Sequence, residues 1–163
     1  MSIAFNSSEL IEMAEKIESD GHNFYRNAAE LFDNPYAHDL LIKLANWENK
    51  HKALFASMRE QIPSLDQQDS NIDSDDDLSL YLQAMEGLDV FTATEDTTDE
   101  LTGHERMKDV LKIALGKEKD SIVYFLALKA FVPTETGKRK IDDIIEEEVR
   151  HIAILNKSIK EFM

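Results

Sequence analysis

Glu148-Val149-Arg150-His151 is the stretch of this sequence that decides the fold. A glutamate and a histidine three residues apart on a helix project from the same face, one turn from each other. The spacing alone carries little weight, because charged helix surfaces produce it often. It gains weight from Glu48-Asn49-Lys50-His51, which has the same pattern one hundred residues earlier. The chain therefore presents the same pair of side chains twice.

Each copy of this motif has a lone glutamate thirty residues upstream, Glu18 in the first half and Glu118 in the second. The two halves therefore share one order, Glu and then Glu-x-x-His, at the same internal spacing. Four carboxylates and two imidazoles in this order are the ligand set of a dinuclear metal site inside a four-helix bundle. The six candidate metal ligands are Glu18, Glu48, His51, Glu118, Glu148 and His151.

Length and composition narrow the class of protein. The 163 residues are most simply one domain, spanning 1–163, and are enough to bury a real core. Scarce proline and glycine favour helix. The absence of cysteine excludes disulfides, thiolate metal sites and cysteine-ligated iron. The net charge of −15 argues against nucleic-acid binding, which needs a basic face.

No stretch of the sequence indicates a membrane or export segment. No run of residues approaches the roughly 18 to 20 apolar residues of a membrane-spanning helix. The N-terminal stretch lacks a basic region followed by an apolar one. We therefore expect a cytoplasmic protein with no membrane partner.

Apolar residues recur at steps of three and four, which predicts four bundle helices. We expect these helices from Ser7 to the Asn34-Pro35 turn, from about Tyr36 to Ile62, from about Glu105 to Phe131, and from about Thr134 onward. A short turn inside each pair and a long connection over 63–104 predict an all-α, antiparallel four-helix bundle with one crossover between helices two and three. Within that connection, a short helix packed on the bundle is predicted by the apolar residues Leu78, Tyr81, Leu82, Met85 and Leu88.

All six candidate ligands fall on the apolar seam of these helices, where Leu or Ile would be expected. A buried carboxylate costs several kcal/mol unless it is paired or bound to metal. Four free glutamates in one core would be untenable at neutral pH, whereas two divalent cations would cancel their four negative charges. The seam position therefore predicts metal binding.

Other residues near the motifs carry weaker predictions. Glu146 and Glu147 lie off the seam, so we expect both on the solvated face. Tyr25 lies seven residues after Glu18 on the same helical row. It is either a core aromatic or a phenol that hydrogen-bonds a metal ligand or peroxide.

Small residues occupy two related seam positions. Gly21 and Ser121 stand, on helices one and three, where His51 and His151 stand on helices two and four. They would leave room for metals and an oxygen species, and close helix packing explains them equally well.

At these residues the chain resembles the ferritin-like superfamily, and within it the rubrerythrin-type di-iron domain. The segments similar to that family's four metal-binding helices are Ala14-x-x-x-Glu18-x-x-Gly21-x-x-Phe24-Tyr25-x-x-Ala28, Leu44-Ala45-x-x-Glu48-x-x-His51, Ala114-x-x-x-Glu118 followed by Tyr124-Phe125, and Glu148-x-x-His151. The resemblance implies bridging carboxylates at Glu48 and Glu148, terminal ligands at Glu18 and Glu118, and nitrogen ligands at His51 and His151.

The same resemblance implies a function. It implies a non-haem di-iron oxidoreductase that reduces hydrogen peroxide or dioxygen in oxidative-stress defence. Two iron ions are the expected cofactor, and ligand type leaves manganese open. The family resemblance also implies a homodimer.

Two departures from the family pattern qualify this function. The chain has no cysteine and hence no rubredoxin module, so electrons must come from a separate donor protein. Ser121 stands where rubrerythrins have an additional glutamate that takes part in ligand switching. A ferroxidase-like iron-binding protein without sustained turnover is therefore the alternative, and a metal-free interaction module is a third.

Overall fold

The computed structural model of the chain describes residues 7–61, 77, 80–81, 84, 101–103 and 105–162. Within these residues the regular secondary structure is helical, with no strand, and four of the helices are long. The helices are α1 (Ser7–Ala29), α2 (Pro35–Glu60), α3 (Met107–Lys129) and α4 (Glu135–Glu161). The prediction of an all-α four-helix chain is confirmed.

The starts of α2 and α4 are set by side-chain caps. The Asn34 side chain accepts a hydrogen bond from the Ala37 backbone N–H at 3.1 Å. Pro35 occupies the first helical position, where its missing N–H would have had no helical partner. Thr134 caps α4 in the same way, because its hydroxyl accepts from the Gly137 N–H at 3.0 Å. Both helices begin within a residue of the predicted positions.

The end of α1 differs from the prediction. The helix stops at Ala29, before the Asn34-Pro35 turn at which it was expected to end. The backbone N–H groups of Leu31 and Phe32 bond three residues back, so the chain tightens into a turn. Pro35 also disfavours helical backbone at Asn34. Pro35 correctly predicted the turn, but the predicted end of α1 lies later in the chain than the observed end at Ala29.

Contacts between helix ends fix the direction of each helix. The Tyr124 hydroxyl donates to the Leu10 carbonyl at 3.0 Å, so the end of α3 lies beside the start of α1. The Tyr36 hydroxyl donates to Glu161 at 2.9 Å, so the start of α2 lies beside the end of α4. With a short turn inside each pair, α1 and α4 point one way and α2 and α3 the other.

This arrangement requires a crossover, as predicted. Since α2 and α3 are parallel, the chain between them has to return along the bundle, and α2 alone is roughly 39 Å long. Tyr81 is helical and packs half-buried against the apolar core. The other apolar residues predicted for that short helix, Leu78, Leu82, Met85 and Leu88, lie outside the described residues.

The core consists of two apolar clusters, one toward each end of the bundle. The first cluster includes Leu10, Ile11, Phe55, Phe125, Leu128, Ile141 and Ile144. The second cluster includes Phe24, Tyr25, Leu41, Leu44, Leu111, Ala114 and Leu155. In α2, Leu44 and Phe55 belong to different clusters, and Glu48 and His51 lie between them. A buried polar layer therefore separates two apolar ends.

The four helices of the bundle are not candidate membrane spans. Among the described residues, no helix combines the length and the hydropathy needed to cross a bilayer.

Candidate metal centre

The structure brings all six candidate ligands into the polar layer between the apolar clusters. Glu18 comes from α1 and Glu118 from α3, whereas α2 and α4 each supply one Glu-x-x-His pair. None of the six residues is more than 3% exposed. The seam prediction therefore placed these residues correctly inside the bundle.

The six residues form two overlapping groups. The first group is Glu18, Glu48, His51 and Glu148, and the second group is Glu48, Glu118, Glu148 and His151. Within each group, one ligand atom from every residue lies within 4.8 Å of the others, so each group can hold a metal ion. Glu48 and Glu148 belong to both groups, which is the placement that a bridging carboxylate requires.

Both histidine rings turn the same nitrogen toward the carboxylates. His51 Nδ1 lies 2.8 Å from Glu148 Oε1 and 3.6 Å from Glu18 Oε1. His151 Nδ1 lies 3.1 Å from Glu148 Oε2 and 3.4 Å from Glu48 Oε1. Each ring therefore presents Nδ1 as its candidate ligand atom, leaving Nε2 on the outer side.

Several buried carboxylate oxygens of the layer have no hydrogen-bond donor in the described part of the chain. Among the described residues, no hydrogen-bond donor satisfies either oxygen of Glu18, Oε1 of Glu48 or Oε2 of Glu118. Buried polar groups are nearly always satisfied, and an unsatisfied one costs about 1–3 kcal/mol, more when it is charged. Carboxylate oxygens and imidazole nitrogens that converge in this way fit a site built around metal cations.

Mutual proximity shifts the proton affinities of these groups. Burial, reinforced by the charges of Glu48 and Glu148, raises the pKa of both Glu18 and Glu118 well above the usual glutamate value. Burial acts to lower the pKa of His151, but hydrogen bonds with Glu118 and other carboxylates raise it above the usual value. A metal cation that bound here would have to displace protons from these oxygen and nitrogen atoms.

Tyr25 combines the two roles that the sequence left open. It is fully buried in the second apolar cluster, and its hydroxyl donates to Glu118 Oε1 at 2.6 Å. Burial, followed by the charge of Glu118, raises the pKa of Tyr25 well above its usual value. The phenol therefore keeps its proton and orients the Glu118 carboxylate.

Gly21 and Ser121 differ in what they do near the layer. A Cβ added at Gly21 would lie 2.9 Å from Glu48 Oε2, so the glycine makes room for that carboxylate. The Ser121 hydroxyl donates to the Lys117 carbonyl in its own helix at 2.9 Å. Gly21 thus leaves space for the Glu48 side chain, and the Ser121 hydroxyl is bonded to the backbone of its own helix.

Two residues that touch the candidate ligands were not predicted from the sequence. Glu147, expected on the solvated face, is only partly exposed, and its Oε2 lies 2.7 Å from His51 Nε2. Trp47 stacks on the His151 ring, with centroids 4.7 Å apart and planes 14° from parallel. Glu146 is exposed as expected. Both Glu147 and Trp47 directly precede the glutamate of a motif, and that shared position was the available signal.

Comparison with known proteins supports the fold. No family model matches the chain. No curated protein sequence matches it either. Among solved structures, it is similar to a candidate ferritin-like diiron-carboxylate protein of Thermotoga maritima, with a TM-score of 0.72 and 23% sequence identity over 98% of each chain. The predicted ferritin-like helical bundle fold is confirmed.

Proposed function

We propose that this chain is a non-haem di-iron oxidoreductase of rubrerythrin type, which reduces hydrogen peroxide or dioxygen in oxidative-stress defence. The observation that carries the proposal is the pair of overlapping Glu and His groups, buried at the centre of the bundle. Two divalent cations would balance the charge of its four carboxylates. Mixed oxygen and imidazole ligation suits iron, and manganese has compatible ligand preferences.

The overlap of the two groups supports a different role for each candidate ligand. Glu18 with His51 would hold one metal, and Glu118 with His151 would hold the other. Glu48 and Glu148, which belong to both groups, would span the two metals. This assignment uses every carboxylate and imidazole of the two groups.

A ferrous pair at this site would supply the two electrons that, with two protons, convert one hydrogen peroxide into two waters. The chain itself orients the carboxylates and excludes water from the polar layer. Tyr25 holds Glu118 by a hydrogen bond, and the apolar clusters shield the layer at both ends of the bundle. Each turnover requires two electrons from a separate donor protein, because no cysteine is present to hold a rubredoxin-type iron.

A ferroxidase-like iron-binding protein without sustained turnover is the second candidate function. Ser121 favours it, because this residue bonds to its own helix and supplies no carboxylate. The site then consists of six ligands, without the additional glutamate used for ligand switching in rubrerythrins.

Anaerobic reconstitution with ferrous iron tests the proposal. We expect two irons per chain, and repeated consumption of hydrogen peroxide when a reductant is present in excess. Two bound irons that react only once would favour the ferroxidase-like function. Failure to bind either iron or manganese would contradict both and leave a metal-free interaction module.

The proposal also includes a cytoplasmic homodimer. Light scattering of the purified chain would measure twice the mass of one chain if this is correct. A monomer would remove the dimer from the proposal and leave the metal centre untouched, because all six ligands come from one chain.

A further inference from the structure

The residue just before each motif glutamate contacts the histidine of the other motif. Glu147 precedes Glu148 on α4 and contacts His51 on α2. Trp47 precedes Glu48 on α2 and contacts His151 on α4. The two halves thus place different chemistry at equivalent positions: a carboxylate against one imidazole and an indole against the other.

The contact of Glu147 defines the state of the His51 ring. The contact of 2.7 Å between His51 Nε2 and Glu147 Oε2 is a hydrogen bond that the ring donates when Nε2 carries a proton and the carboxylate accepts. That leaves Nδ1, which faces Glu148 and Glu18, as the nitrogen that can bind metal once it is deprotonated. The hydrogen bond therefore holds both the tautomer and the orientation that a metal ligand needs.

The contact of Trp47 acts differently on His151. The indole stacks almost parallel on the imidazole and limits its tilt, but the Nε2–H bond lies in the plane of the imidazole and does not point at the indole. Lys43 lies over the same indole, with Nζ 4.9 Å from the ring centroid. The described part of the chain shows no carboxylate bonded to His151 Nε2. The His151 ring is therefore held by stacking on Trp47, whereas the His51 ring is held by a hydrogen bond with Glu147.

We infer that the two metal positions have unequal affinities, because Glu147 holds the His51 ring by a hydrogen bond, whereas Trp47 stands at the equivalent place beside His151. The inference rests on the proposed metal centre. A carboxylate that accepts the outer N–H of a ligating histidine makes the other nitrogen a stronger donor. The metal position of His51 is therefore the tighter one, and it fills first.

Calorimetric titration of the full metal-free chain with cobalt(II) tests this inference. The wild-type chain is expected to bind two cobalt ions with resolvable affinities. Glu147→Ala should weaken the tighter step about 10–100-fold, the usual effect of losing such a partner, and leave the weaker step unchanged. Glu147→Gln, which keeps an acceptor but loses the charge, should fall between Glu147→Ala and the wild type.

Glu146→Ala is the matched control, since it removes the same charge from the adjacent, exposed position. It should leave both cobalt affinities unchanged. Trp47→Glu tests the converse, and should strengthen the weaker step by giving His151 a charged acceptor. Circular dichroism checks that every variant keeps its helicity.

Nitrogen-15 NMR of the zinc(II)-loaded chain supplies a readout that general destabilisation would not move. The hydrogen-bonded Nε2 proton of His51 should be visible in the wild type and in Glu146→Ala, and lost in Glu147→Ala. Equal weakening of both cobalt steps, or no change in either, would overturn the inference. A wild-type chain that binds no cobalt would instead overturn the proposed metal centre, and this inference with it.

Discussion

At the scale of single residues, the six buried candidate ligands are not equivalent. Glu48 and Glu148 belong to both groups, whereas the other four ligands belong to one each. Loss of a shared ligand and loss of an unshared ligand should therefore have different consequences for metal stoichiometry.

Glu148→Ala should abolish tight binding at both positions, because both groups lose a ligand. His151→Ala should lower the stoichiometry from two metals toward one, because only the second group loses a ligand. Metal analysis after anaerobic reconstitution measures both, and circular dichroism should show helicity largely unchanged. The site assignment would be wrong if the two variants still bound two metals with wild-type affinity.

Gly21→Ala tests the space around Glu48. The new methyl would lie 2.9 Å from Glu48 Oε2, so the carboxylate has to shift, and binding at both positions should weaken by about tenfold or more. Gly116→Ala is the matched control, since a Cβ there meets nothing within 4 Å. The control should keep metal binding and gain up to about 1 kcal/mol of stability, as alanine favours helix. Equal metal affinities in the two variants would refute this role of Gly21.

At the scale of helices, capping residues matter because they fix where a helix begins, and hence which of its residues face the polar layer. Thr134 caps α4 through the Gly137 N–H, and α4 supplies two of the six ligands. The cap therefore stabilises the helix that carries Glu148, the α4 residue that belongs to both groups.

Thr134→Ala should destabilise the metal-free chain by about 1 kcal/mol, the usual cost of losing such a cap. Thermal denaturation followed by circular dichroism measures the change. Thr136→Ala, at an exposed position two residues further on, is the control and should have little effect. Similar losses in both variants would show that the cap is not the cause.

The helices also show which signals sequence reasoning can use. The buried position of Glu48 and His51 was predictable, because polar residues that recur at the same spacing on an apolar seam face the inside of the bundle. Glu147 was not, because a residue next to the seam can face solvent or a neighbouring helix, and only the packing of α4 on α2 decides. The end of α1 was misplaced because the turn hydrogen bonds at Leu31 and Phe32 leave no clear sequence signature.

At the scale of the whole molecule, protons and metal cations would compete for the same buried groups. Burial raises the pKa of Glu18 and Glu118, and hydrogen bonds with carboxylates raise the pKa of His51 and His151. Groups with raised pKa values hold their protons in the metal-free fold up to a higher pH than they would in an unfolded chain. Metal ligands must be deprotonated, so binding has to release these protons.

Metal affinity should therefore rise with pH and fall as the solution is acidified. The sign follows because each raised pKa keeps a proton on a ligand atom that the metal must displace. Calorimetry in buffers of different ionisation enthalpy would count the protons released. An affinity that is independent of pH, with no proton release, would contradict the charge balance described for the buried layer.

Each helical hairpin contributes one glutamate to the group whose other three residues come from the opposite hairpin. The hairpin of α1 and α2 supplies three residues of the first group, and the α3 and α4 hairpin supplies three of the second. Each group is completed by one glutamate from the opposite hairpin, Glu148 in one case and Glu48 in the other. Packing is more extensive within each hairpin than between them. Bound metal would consequently act as a reversible cross-link between two halves, neither of which completes a metal position alone.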